Sequence, residues 1–234
     1  MEKKHRRILL FDLDDTILDF HTAERASIRQ SFEELGISVD EAVLRRYSEI
    51  NLDCWRQLEK GSMTREEVLV GRFEKLFAEM GVACPAGIAQ ARYEELLESG
   101  HYFVPGAPEL LRVLCPKYDL YLISNGNTVT QEKRLKSAGI GPYFKGIFLS
   151  EEIGVNKPDK AFFDACFALI PDFRREDALI IGDSLSSDIL GGVNAGVRTC
   201  WFNPAGVAAD GDIRPDYEFH SLAELPELLE RIYV

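Results

Sequence analysis

The stretch Ile8-Leu9-Leu10-Phe11-Asp12-Leu13-Asp14-Asp15-Thr16 decides the fold. Four consecutive apolar residues end abruptly in a cluster of carboxylates. A short unbroken apolar run suits a strand buried on both faces, as in a parallel sheet covered by helices. The pattern recurs: Leu120-Tyr121-Leu122-Ile123 runs into Ser124-Asn125-Gly126, and Ala178-Leu179-Ile180-Ile181 runs into Gly182-Asp183-Ser184. Ile147-Phe148-Leu149 and Thr199-Cys200-Trp201-Phe202 are further strand candidates. Helical segments lie between them. Pro105-Gly106 leads into Leu110, Leu111 and Leu114, with Pro108 acceptable in a first turn. Lys157-Pro158 opens a segment with Phe162, Phe163, Cys166 and Phe167 on one side, and Ser187-Asp188 enters a helix ending near Gly196. Strands alternating with helices predict an α/β protein with a doubly wound, Rossmann-like parallel sheet.

One long interval breaks the alternation and reads as helix throughout. Ile28, Phe32 and Leu35 have helical spacing, as do Tyr47, Ile50, Cys54 and Leu58, then Leu69, Phe73, Leu76 and Met80. Thr64-Arg65-Glu66-Glu67 is a capping box before an apolar run, and Gly81 suits the helix exit. Ile88, Ala91 and Leu96-Leu97 suggest a fourth helix. The expectation is a discontinuous α/β core, residues 1–18 and 100–234, with an all-helical domain of residues 19–99 inserted after the first strand.

Composition narrows the function. The 234 residues are 46% hydrophobic and 28% charged, ordinary for a soluble globular protein. No apolar run approaches the ~20 residues of a membrane span. The basic cluster Lys3-Lys4-His5-Arg6-Arg7 precedes only four apolar residues, too few for a signal-peptide core, and reads as the solvated lead-in to a strand. Five widely spaced cysteines without a C-x-x-C pair argue against a disulfide framework or zinc site and for a reducing cytoplasm. A net charge of −12 repels a nucleic-acid backbone. It also repels a small phosphate unless a metal or local cations offset it.

Ligands of an open α/β sheet bind outside the carboxyl ends of its strands. There the first strand delivers Asp12 and Asp14, the second Ser124 and Asn125, and the fourth Asp183 and Asp188. Four carboxylates in one crevice repel and raise one another's pKa values, a conflict that a divalent cation resolves. All-oxygen ligands favour Mg²⁺. Lys157 can supply a further cation. Singly, Ser124-Asn125-Gly126 is most simply a turn, Lys157 a surface lysine and Ser187-Asp188 a helix cap.

Together these residues resemble the four ordered motifs of the haloacid dehalogenase (HAD) superfamily: Asp12-Leu13-Asp14-Asp15-Thr16, Ser124-Asn125-Gly126, Asn156-Lys157-Pro158, and Gly182-Asp183 followed by Asp188. The helical insertion is similar to that family's type-1 cap. The resemblance implies Asp12 as a nucleophile that forms an aspartyl phosphate, and Asp14 as general acid and then base. It implies Thr16, Ser124, Asn125 and Lys157 as substrate-side residues. It further implies a Mg²⁺ site of Asp12, Asp14 through its backbone carbonyl, and Asp183, with Asp188 in support. Two departures matter. The family usually has Gly where Asp15 stands, and Asp15 reads as a turn residue rather than a ligand. Dehalogenases have no acid at the position of Asp14, because a carbon–halogen bond needs no leaving-group protonation.

The phrase from Phe11 to Phe20 is similar to pyrimidine 5′-nucleotidase-like members. The expected activity is Mg²⁺-dependent hydrolysis of a small phosphate monoester, with a nucleoside 5′-monophosphate as substrate. Alternatives are a phosphoglycolate or sugar-phosphate phosphatase, a phosphosugar mutase, and a phospho-aspartate signalling receiver. The receiver lacks such an insertion and carries its acceptor on a later strand. Phe20, His21, Trp55 and Arg56 are candidate substrate contacts in the cap. The expected partner is a small phosphorylated metabolite, with no nucleic-acid polymer and no membrane, and the chain is expected to act as a monomer or homodimer.

Overall fold

A computed structural model of the protein describes residues 6–209 and 211–233. The chain divides into two compact units: 1–19, 103–129 and 138–234 form the first, and 20–102 with 130–137 form the second.

In the first unit, among the described residues, six strands make one sheet in the order β3-β2-β1-β4-β5-β6. They are β1 (Ile8–Phe11), β2 (Asp119–Ser124), β3 (Gly146–Leu149), β4 (Ala178–Gly182), β5 (Arg198–Phe202) and β6 (Tyr217–Phe219). Every pairing is parallel, with Leu10 facing Tyr121 on one side and Ile180 on the other. This is the Rossmann order, and the direction of winding reverses around β1. All four residues of β1 and all five of β4 are buried, which explains why both read as unbroken apolar runs. The flanking helices are α5 (Ala107–Leu114), α7 (Ser150–Ile153), α8 (Lys160–Leu169), α9 (Leu190–Ala195) and α10 (Leu225–Ile232). Phe162, Phe163, Cys166 and Phe167 of α8 pack against Leu10, Ile123 and Ile180, as their spacing predicts.

The second unit contains α1 (Phe20–Glu34), α2 (Glu41–Glu59), α3 (Arg65–Met80) and α4 (Ala86–Ser99). Residues 130–137 of α6 (Thr128–Ala138) group with it. The predicted capping box is present: Thr64 accepts from the Glu67 amide, and the Glu67 carboxylate accepts from the Thr64 amide. Gly81 closes α3 in the left-handed conformation, φ 67°, which a glycine adopts without strain. The expected stripe on α4 is rotated. Leu97 is buried as expected, but Ile88 and Ala91 face solvent, and Ala89, Gln90 and Tyr93 are buried in their place.

The reason is a polar chain inside this core that apolar periodicity does not reveal. Asn51 on α2 donates to Glu24 on α1 at 2.6 Å, and Ser48 donates to the same carboxylate. Arg72 on α3 donates to Asn51 Oδ1 at 2.7 Å and to Gln90 Oε1 on α4 at 2.8 Å. Its guanidinium also lies 5.0 Å from the Tyr93 ring centroid. The buried guanidinium thus ties α3 to α2 and α4 directly, and to α1 through Asn51. Removing one partner of a buried charge cluster strands the other, at a cost of about 3–5 kcal/mol. Arg72→Met is therefore expected to lower the urea midpoint strongly. Arg29→Met, which removes only an exposed contact to Glu41, should leave it nearly unchanged, and equal effects of the two would contradict this account.

Of the N-terminal basic cluster, Lys3, Lys4 and His5 lie outside the described residues. Arg6 and Arg7 are paired rather than merely solvated: Arg6 lies 3.3 Å from Asp119, and Arg7 bonds buried Asp177. Among the described residues, no helix is long and apolar enough to cross a membrane. The five cysteines are all unpaired.

Candidate active site

The carboxyl ends of β2, β1 and β4, adjacent in the sheet, carry the site. The Asp12 amide continues the ladder by donating to Ile181 O at 2.8 Å. The chain then turns tightly, with Ile17 and Leu18 amides both returning to Leu13 O at 2.9 Å. Asp15 occupies the left-handed region at φ 56°, where glycine is the usual residue and Asp is one of the few others tolerated. A bridge between Leu18 and Phe103 marks where the chain leaves this unit and re-enters it.

Lys157 is 1% exposed and fully bonded. Its ammonium donates to Asp12 Oδ1 at 2.6 Å, Asp188 Oδ1 at 2.7 Å and Ile123 O at 3.2 Å. Asn125 holds the Lys157 backbone from both sides, donating to its carbonyl at 3.0 Å and accepting from its amide at 2.9 Å. Asn125, expected as a substrate-side residue, thus sits where it orients Lys157. Ser124 is buried, and its hydroxyl accepts from the Gly126 amide at 3.0 Å.

The carboxylates of Asp12, Asp183 and Asp188 each offer an oxygen within 4.8 Å of the others. Asp14, half-buried, is not among these three. Asp188 has both oxygens engaged, Oδ1 by Lys157 and Oδ2 by the Ser184 amide at 3.1 Å. Ser184, not Ser187-Asp188, caps the following turn, so Asp188 serves the cluster rather than the helix. Gly182 permits this: a Cβ there would stand 2.2 Å from Asp188 Oδ2. Asp183 accepts from the Thr16 hydroxyl at 3.3 Å, and its carbonyl accepts from the Trp201 indole at 2.8 Å. Thr16 is fully buried, so its hydroxyl positions Asp183 in this structure. Trp201, on β5 and remote in sequence, is a supporting residue that no motif spacing marks. Asp12 keeps Oδ2 without a protein hydrogen bond among the described residues.

The electrostatics are those of a site short of positive charge. Burial pushes Asp12 well above the ordinary carboxylate range; Lys157 pulls it down, while Asp188 and Asp14 push it up. Burial likewise raises Asp183, and Asp12 and Asp188 add to the effect. Burial opposes the charge on Lys157, but Asp12 and Asp188 outweigh it and hold the ammonium above the usual lysine range. Three converging carboxylates with one ammonium leave a surplus of two negative charges. An all-oxygen donor set with that surplus fits a hard divalent cation. Cys166 and Cys200 are poor nucleophiles: burial pushes both thiols up to about 12.

Known proteins resemble this chain along almost its whole length. YfnB of Bacillus subtilis, a protein named as a HAD-hydrolase, is 44% identical over 226 residues, covering 97% of this chain and 96% of YfnB. Its crystal structure, bound to magnesium and described as revealing interdomain movement, superposes with a TM-score of 0.90 over 97% of this chain and all of the other. Pyrimidine 5′-nucleotidase PynA of Streptococcus pneumoniae is 36% identical, covering 96% of this chain and 95% of PynA. Pyrimidine 5′-nucleotidase YjjG of Escherichia coli is 31% identical, covering 94% and 96%. Residues 7–196, which span every motif of the acidic crevice, match the haloacid dehalogenase-like hydrolases, and the chain is a member of that family.

Proposed function

We propose that this hydrolase is a Mg²⁺-dependent phosphatase acting on a small phosphate monoester through an aspartyl phosphate on Asp12, with nucleoside 5′-monophosphates as its preferred substrates. The observation that carries the reading is the pairing of Asp12 with Lys157 inside the Asp12–Asp183–Asp188 cluster. A carboxylate held beside a buried ammonium is oriented for attack and shielded from an incoming phosphate dianion.

Each chain residue then has a chemical task. Asp12 attacks phosphorus as the bond to the leaving oxygen breaks, and Asp14 protonates that oxygen. Asp14 next removes a proton from water, whose oxygen attacks phosphorus and frees Asp12. Lys157 stabilises the negative charge on the transferring group, and Ser124 binds its oxygens. Thr16 and Asn125 complete this substrate end, acting through Asp183 and Lys157. Asp12, the Asp14 carbonyl and Asp183 would hold Mg²⁺, with Asp188 in support. When bound, the ion neutralises charge on the phosphoryl group. Asp14 separates this reading from dehalogenation, which needs no leaving-group acid.

The nucleotide preference rests on the phrase from Phe11 to Phe20 and on the names of PynA and YjjG. The helical segment 19–99 is proposed as the specificity-setting cap, with Phe20, His21, Trp55 and Arg56 as candidate contacts. A cytoplasmic monomer or homodimer is the proposed working form.

A panel of phosphate monoesters tests the reading. With Mg²⁺, pyrimidine nucleoside monophosphates should give the highest kcat/KM. EDTA should abolish activity, Mg²⁺ should restore it, and Ca²⁺, with looser and higher coordination, should support it poorly. Faster turnover of phosphoglycolate or a hexose phosphate would reassign the substrate. Full activity in chelator would remove the metal from the proposal.

A further inference from the structure

The opposite edge of the sheet carries a second charged site, independent of the reading above. Arg7 immediately precedes β1, Arg175 and Glu176 precede β4, and Arg198 opens β5. All four residues therefore lie at the amino-terminal edge, away from the acidic crevice. With Gly196, Ile232 and Tyr233 they line a pocket of about 660 Å³ that opens broadly to solvent. That volume lies within the range of small-molecule sites, roughly 300–1,000 Å³.

The walls are built rather than incidental. The Arg7 and Arg198 guanidinium groups both lie over the Tyr233 ring, 5.1 and 5.0 Å from its centroid. Arg7 is also anchored on buried Asp177. Arg175 donates Nε to Ala195 O at 3.0 Å and a terminal nitrogen to Asp164 at 3.1 Å, and Arg198 donates to Glu176 O at 3.1 Å. Each guanidinium has five N–H donors, so these anchors fix the three groups while leaving donors for a ligand. With their anchors counted, Arg7, Arg174, Arg175, Arg198 and Lys160 face Asp164, Glu176 and Asp177, which leaves an excess of two positive charges. In a chain of net charge −12, a concave cluster of oriented guanidinium groups is where an anion gathers. Guanidinium forks match phosphate oxygens bidentately.

We propose that this cavity binds a multiply charged phosphate-type anion, making it a second ligand site remote from the catalytic edge. The anion is either a free inorganic species or the phosphate end of a nucleotide. Arg198 and Arg175 supply the principal contacts, and Arg7 and Tyr233 hold the wall in place.

Isothermal titration of the full-length protein in EDTA tests this, because without a cation the acidic crevice repels the same anions. The probes are inorganic pyrophosphate and ADP. One equivalent is expected to bind with a Kd below about 1 mM, weakened by added salt. Arg198→Gln and Arg175→Gln should each weaken binding roughly tenfold or more, the usual effect of losing a charge-assisted pair. Arg198→Gln should keep the wild-type melting temperature within a few degrees, since its lost hydrogen bond to Glu176 O is exposed. Arg175→Gln also loses a half-buried bond to Ala195 O, so its binding is read per folded protein. Tighter binding of ADP assigns the cavity to a nucleotide, and equal affinities assign it to the bare anion. No saturable binding of either probe, or affinity unchanged in both variants, overturns the proposal.

Discussion

Asp12→Asn is expected to abolish turnover while leaving the fold intact or more stable. Loss of a nucleophile costs on the order of 10⁴–10⁶ in kcat where no other group substitutes for it. Cys166 and Cys200, two of the three buried thiols, are not replacements, since burial raises both and keeps them protonated. The stability half of the expectation follows from the burial and neighbouring carboxylates that push Asp12 up. A neutral amide removes that repulsion, and Lys157 keeps Asp188 and Ile123 O as partners. A dead enzyme with an unchanged or raised melting temperature is the expected pair of results. Activity within tenfold of wild type would remove Asp12 from the chemistry. Loss of activity with a collapsed melting temperature would show only that the site had unfolded.

Lys157→Met should act on both properties. The ammonium is the one cation bonded to both Asp12 and Asp188 among the described residues. Without it, two buried carboxylates face each other uncompensated, at a cost of about 3–5 kcal/mol. Loss of a charge-stabilising donor at the reacting group should lower kcat a further ~10²–10³-fold in the fraction that remains folded. Added Mg²⁺ should raise the melting temperature of this variant more than that of wild type, because the variant's cluster lacks more positive charge. Asn125→Ala offers a milder comparison, since it frees the Lys157 backbone and keeps the charge. Equal melting temperatures for Lys157→Met and wild type without metal would contradict the ion-pair cluster.

The core of the fold was legible because a central parallel strand is buried on both faces. Ile8–Phe11, Leu120–Ile123 and Ala178–Ile181 could hardly be exposed, and the residues that end each run fall at the sheet edge where ligands bind. β6 left no such signature: three residues on an edge, with Glu218 exposed, look like loop. The helical insertion was legible by its period, but not its interior. Glu24, Asn51, Arg72 and Gln90 carry the residue types of a solvated face, and only tertiary pairing makes their burial tolerable. That same network turned the buried face of α4 away from Ile88 and Ala91.

In the site, motif spacing does not reveal what each residue touches. Thr16 turned out to hold Asp183 and Asn125 to hold the Lys157 backbone. Asp188 reaches the cluster because Gly182 has no side chain, a relation visible only once β4 and the following turn are folded. Trp201 supports Asp183 from a strand eighteen positions downstream, and its contribution has no local sequence signal.

The central claim is that phosphate passes through Asp12, and Asp14→Asn exposes that step most directly. General acid–base assistance is typically worth ~10²–10⁴-fold. With p-nitrophenyl phosphate, whose leaving group needs little protonation, the variant should still phosphorylate Asp12. It should then be slow to activate the water that releases the phosphate. Rapid quench followed by intact-mass analysis should show one added phosphate per chain, mapped by peptide analysis to Asp12. A label on another residue, or phosphate released in a single turnover with no phosphorylated chain detected at any time point, would contradict the account.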